Sequence, residues 1–108
     1  MNKFLLIVLA VAGLSAGQST QTFQGVVTDD NCATGDHSHM RMGETDAECT
    51  LACVDAHGAS YVLFDGKNAY TLSGQQSPQP FAGKKVTVVG TLDVKTKTIQ
   101  VNSITAAK

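Results

Sequence analysis

Tyr61-Val62-Leu63-Phe64-Asp65-Gly66-Lys67-Asn68-Ala69-Tyr70-Thr71-Leu72 decides the fold. Two runs of aromatic and branched aliphatic residues flank Asp65-Gly66, a pair suited to the positive-φ positions of a tight hairpin turn. They predict two short antiparallel strands. Tyr61 and Phe64 are three apart, so in a strand they face opposite sides and at least one belongs to the core. Downstream, Ser73 to Gly83 holds both prolines, Pro78 and Pro80, and predicts a connector with at most one helical turn. Lys84-Lys85-Val86-Thr87-Val88-Val89-Gly90-Thr91-Leu92 alternates as a fourth strand with Val86, Val88 and Gly90 on one face. Asp93 to Lys97 turns the chain. In the fifth strand, Thr98 to Ile104, the apolar positions are Ile99, Val101 and, after a register break, Ile104.

Upstream, Thr22-Phe23-Gln24-Gly25-Val26-Val27-Thr28 is a first strand that runs into the turn cluster Asp29-Asp30-Asn31. Cys32 to Glu44 has neither helical nor alternating periodicity and reads as a loop. Thr45-Asp46-Ala47-Glu48 fits a capping box, which starts a helix expected to run to His57 and stop at Gly58. Cys49, Ala52, Cys53 and Ala56 fall on one face of it. Five short strands with a connector between the third and fourth match the order of an oligonucleotide/oligosaccharide-binding (OB) barrel. The fold class is therefore mainly β: a small five-stranded OB-like barrel with one short helix inserted between strands 1 and 2. A plain sheet with one packed helix is the alternative. Gly25 and Gly90, inside strands, are where a small barrel must bend.

The first residues carry a different signal. Lys3 precedes an unbroken apolar run, Phe4 to Ala12, followed by Gly13-Leu14-Ser15-Ala16-Gly17 with small residues where a signal peptidase reads. The run is too short to span a bilayer. Residues 1–17 are expected to be a signal peptide and 18–108 the domain, with a Cys/His/Met-rich insertion at about 30–58, secreted or periplasmic and without stable membrane insertion. Without residues 1–17 the chain keeps seven basic and nine acidic residues, a formal charge of −2. That balance argues against nucleic acid as a partner.

Cys32, His37, His39, Met40, Met42, Cys49, Cys53 and His57 place eight soft or borderline ligands within 26 residues. Thiolate, imidazole and thioether donors select copper(I) or zinc over hard cations. Cys49 and Cys53 lie one helical turn apart on a common face, and the loop Asp36 to Met42 offers imidazoles and thioethers that fold over them. The expected metal ligands are Cys32, His37, His39, Met40, Cys49 and Cys53, with Asp30, Asp36 and Glu48 nearby. The competing reading is a disulfide from Cys32 to Cys53 or Cys49, since thiols outside the cytoplasm oxidise and a small domain needs a staple. A sulfur in a disulfide is lost as a thiolate ligand. His57 in the last helical turn suits a dipole-facing cap, and the loop histidines suit a solvated loop.

Catalytic motifs are missing: there is no Cys-x2-Cys redox pair, nucleophile elbow or phosphate loop. The reading is a non-catalytic binding module. A barrel that binds a protein or glycan through Tyr61, Phe64, Tyr70, Lys84, Lys85, Lys95 and Lys97 is the rival, with the cysteines purely structural.

The segments Gly25-Val26-Val27-Thr28-Asp29 with Cys32, Glu48 to Val54, Gly58 to Leu63 and Phe81 to Leu92 together resemble a group of small exported bacterial proteins of unknown function with OB-like barrels. The resemblance covers nearly the whole of residues 18–108. It implies fold and export, and no activity.

Overall fold

The computed structural model describes residues 19–38 and 41–107. The expected signal segment, His39 and Met40 lie outside the described residues. Five strands are present: β1 (Gln21–Asp29), β2 (Tyr61–Phe64), β3 (Ala69–Leu72), β4 (Lys85–Asp93) and β5 (Thr98–Ala106). One helix, α1 (Asp46–His57), stands between β1 and β2. The sheet runs β1-β2-β3-β5-β4 and closes on itself, because β4 also pairs with β1. All pairings are antiparallel except β3 with β5, a short parallel contact of Thr71 with Thr98 and Leu72 with Ile99.

The hairpin forms, but its tight turn centres on Gly66-Lys67, closed by the Asp65 N–H donating to the Asn68 carbonyl at 3.1 Å, and Asp65 does not take positive φ. The Asp65 carboxylate accepts from the backbone N–H groups of Lys67 (2.8 Å) and Asn68 (2.7 Å). Those two bonds hold the Asp65 carboxyl below the ordinary carboxylate range. Gly66 takes φ +104°, which a side chain would strain. At the other end of the hairpin, Gln75 clamps β2 to β3. Its Oε1 accepts from the Tyr61 N–H (2.6 Å), and its Nε2 donates to the carbonyls of Tyr61 (3.1 Å) and Leu72 (2.6 Å). The connector contains the single helical turn expected, a 3-10 turn at Gln79–Phe81.

Val27, Tyr61, Leu63, Leu72, Ala82, Val86, Val88 and Ile99 form the core inside the closed sheet. Val86 and Val88 point inward at 0% exposure, as the alternation of β4 requires. The register break in β5 is real: Val89 faces Ser103 and Gly90 faces Val101, so Asn102 is the extra residue of a bulge. Gly90 sits at that bulge because a Cβ there would collide with the Gln100 carbonyl. Gly25 is required for the same reason, its neighbour being the Phe64 carbonyl.

Helix α1 begins as a complete capping box. The Glu48 N–H donates to Thr45 Oγ1 and the Thr45 N–H to Glu48 Oε1, both at 3.1 Å. It ends at Gly58 in the left-handed region, φ +66°. The buried residues of α1 are Cys49, Thr50 and Cys53, so the expected stripe through Ala56 is corrected: Ala56 and His57 are exposed. The stripe stops one turn short of the helix end, which closes at Gly58.

Candidate metal centre

The end of β1 is covered on both sides. Val27 joins the core, and Thr28, which alternation places on the other face, is also fully buried. Its cover is the insertion: Thr28 Oγ1 donates to the Cys32 carbonyl at 2.8 Å. The residues expected to be a plain turn form a 3-10 turn, Asp30–Cys32. Asp29 caps it, with Oδ2 accepting from the N–H groups of Asn31 (3.1 Å) and Cys32 (3.2 Å). The two ends of the insertion are pinned together by Asp30 and Ser60, which exchange backbone and side-chain bonds at 3.0 and 3.2 Å. Cys32 is thereby fixed against the sheet while α1 brings Cys49 and Cys53 to it.

From Cys32 the chain turns at Gly35, φ +79°, and the Asp36 carboxylate accepts from the Ser38 N–H at 3.0 Å. This local turn carries His37 inward, where it is 3% exposed. One ligand atom each from Cys32, His37 and Cys49 then lies within 4.8 Å of the other two. All three residues are buried. His37 Nδ1 is buried with no hydrogen-bond partner. A buried imidazole nitrogen without a partner is costly unless something absent from the protein atoms satisfies it.

Of the six expected metal ligands, Cys32, His37 and Cys49 converge. Cys53 stands beside this group, its thiol donating to the Met42 thioether at 3.9 Å. Met42 in turn donates its N–H to Cys49 Sγ at 3.3 Å, so one loop residue touches both helical sulfurs. His39 and Met40 lie outside the described residues. The expected disulfide from Cys32 to Cys53 or Cys49 is not formed. Cys53 is turned toward the Met42 thioether, while Cys49 stays within reach of Cys32 and also accepts from the Met42 backbone. The acids expected nearby serve local structure: Asp30 holds Ser60, Asp36 turns the loop and Glu48 caps α1.

Two buried polar residues were passed over by sequence reasoning. Asp29 is 0% exposed and its Oδ1 has no hydrogen-bond partner. Thr50, next to Cys49 on α1, is also fully buried with an unpartnered hydroxyl. The three unpartnered buried side-chain atoms among the described residues thus belong to Asp29, His37 and Thr50, each on or next to the insertion that carries the cysteines. Desolvation, then the Asp29 charge, raises the Cys32 thiol above its ordinary range, and the same two causes push Cys53 up to about 11. Both shifts favour the protonated thiol at neutral pH.

The opposite side of α1 borders an open groove of about 700 Å³, lined by Leu51, Val54, Asp55, Tyr61, Gln75 and Gln79. Burial, then the Asp55 charge, raises the Tyr61 hydroxyl. No helix among the described residues is long and apolar enough to cross a membrane. No family model, curated protein or solved structure matches the chain.

Proposed function

We propose that this chain is an exported, non-catalytic binding module: an OB-like barrel whose insertion holds a soft metal ion, copper or zinc, through Cys32, His37 and Cys49. One observation carries the reading, the convergence of two thiols and an imidazole within 4.8 Å in a buried pocket. The unpartnered Nδ1 of His37 supports it, because a metal ion supplies the partner that burial denies. Two sulfurs and one nitrogen form a donor set suited to soft or borderline ions. The OB-like reading draws on the closed strand order and the parallel β3 with β5 contact. Export draws on Lys3 and the apolar run Phe4 to Ala12.

The protein- or glycan-binding rival has less support. Tyr61 is 3% exposed and Tyr70 packs against Phe23 with ring centroids 5.9 Å apart, so neither ring is a free platform. Lys84 and Lys85 stand at the start of β4, whereas Lys95 and Lys97 lie in the turn beyond its end. Those lysines form no single patch. A Cys32–Cys49 disulfide is the more serious competitor, because the same proximity that suits a metal suits oxidation.

The test is metal analysis and thiol counting on the purified chain, loaded with zinc(II) or copper(I) under reducing conditions. One ion per chain, lost on His37→Ala, is the expected result. One reactive thiol, two sulfurs in a disulfide and no metal uptake after reduction would overturn it.

A further inference from the structure

Residues 41–43 press the insertion loop against the first turns of α1. Arg41 pairs with Asp46 at 3.2 Å, and Gly43, at φ +150°, passes so close that a Cβ there would stand 2.6 Å from the Glu48 Cβ. An approach that close is open to glycine alone. Met42 is held between these two pins. Its N–H reaches Cys49 Sγ at 3.3 Å, and its thioether accepts from the Cys53 thiol at 3.9 Å.

The Cys32/His37/Cys49 group uses one of the two helical sulfurs and leaves the thioether aside. Cys49 and Cys53, one turn apart on α1 and both fully buried, meet Met42 together. Two sulfurs bound to one ion at about 2.3 Å each stand roughly 4 Å apart. Cys53 and Met42 already have that separation, and the thiol proton between them lies where a cation replacing it would sit. A neutral thioether is a ligand for copper(I), whereas zinc(II) takes thiolate, imidazole and carboxylate. A thiolate keeps lone pairs after binding one ion, so Cys49 can serve two.

We propose that Cys49, Cys53 and Met42 form a second, all-sulfur ion position beside the first, selective for copper(I), with Cys49 bridging the two. The proposal rests on the Cys32/His37/Cys49 reading. The first position takes the first equivalent of either ion; the second fills after it, with copper(I) in excess. Cys53 gives up its thiol proton to solvent as the ion enters, and no electron moves.

The two positions are separable by substitution. Met42→Leu removes the thioether, keeps the side-chain bulk and leaves the backbone N–H on Cys49 in place. Cys53→Ala removes the other unshared ligand. Wild type and both variants, checked for fold by circular dichroism, are titrated anaerobically with copper(I) and, separately, with zinc(II) against competing chelators. Wild type is expected to saturate at two copper(I) but one zinc(II), and each variant at one of either ion. Should Cys53→Ala fail to fold, Met42→Leu carries the comparison. Wild type saturating at one copper(I), or a folded Met42→Leu chain still taking two, would overturn the second position and leave the centre standing. Failure of wild type to take up either ion would overturn the centre itself, and the second position with it.

Discussion

The closed sheet and the insertion between β1 and β2 solve the problem of burial in opposite ways. Inside the sheet, the fully buried side chains are Val27, Leu63, Leu72, Val86, Val88 and Ile99, which have no polar atoms to satisfy. Under the insertion, what is buried is Thr28, Asp29, His37, Thr50 and three cysteines, with an unpartnered polar atom on Asp29, His37 and Thr50. Native interiors pair almost all such atoms. The insertion's interior is therefore the part of the domain that the proposed metal would satisfy.

That contrast predicts a large difference in what truncation costs. Leu63→Ala, in the middle of the sheet core, is expected to lose about 2–5 kcal/mol of unfolding free energy in denaturant titration. Cys49→Ala removes only a sulfur and is expected to cost the metal-free chain far less, while abolishing metal uptake. Equal losses in the two metal-free variants would break the comparison, because the insertion would then be ordinary core.

Smaller effects sharpen it. Gln75→Ala strips three hydrogen bonds from the β2–β3 end and leaves buried backbone groups unmet, an expected loss of about 1–3 kcal/mol. Metal uptake should not change, since Gln75 lies across α1 from the thiols. Thr45→Ala removes the N-cap of α1 and should cost about 1 kcal/mol. Unlike Gln75→Ala, it should also weaken metal binding, because α1 presents Cys49.

Two pH effects are smaller still. Folding raises the Cys53 thiol to about 11, so the folded state favours the protonated form. Its contribution is full below the ordinary thiol range and is lost as pH rises through 11. Cys53→Ala should therefore flatten the loss of stability between about pH 9 and 11. Asp65 runs the other way: its lowered carboxyl contributes stability above the ordinary carboxylate range that disappears as pH falls through the folded value. Asp65→Asn should remove part of the acid-side slope seen in thermal melts.

Much of the sheet was legible because its signals are local. The turn between Phe64 and Ala69, the alternation of Lys85–Asp93 and the break before Ile104 each depend on residues within one strand or turn. The capping box that starts α1 at Asp46 is equally local. Gln75 was not legible, because its bonds to Tyr61 reach across the fold from what reads as a plain connector.

The site divides along the same line. The density of cysteine, histidine and methionine between Cys32 and Cys53 points to a cluster, but which members meet depends on how far the loop folds back. His37 turns in because Gly35 and Asp36 bend the chain there. Cys53 turns aside to Met42. Asp29 reads as a surface turn residue, and only the cover laid over β1 by its own insertion buries its carboxyl group.

The most direct test of the centre is X-ray absorption at the metal of the chain loaded with one equivalent of zinc(II). The account predicts a shell with two sulfurs at about 2.3 Å and an imidazole nitrogen at about 2.0 Å, the nitrogen signature disappearing in His37→Ala. A shell of oxygen and nitrogen donors without sulfur, with all three thiols still open to alkylation after unfolding, would contradict it.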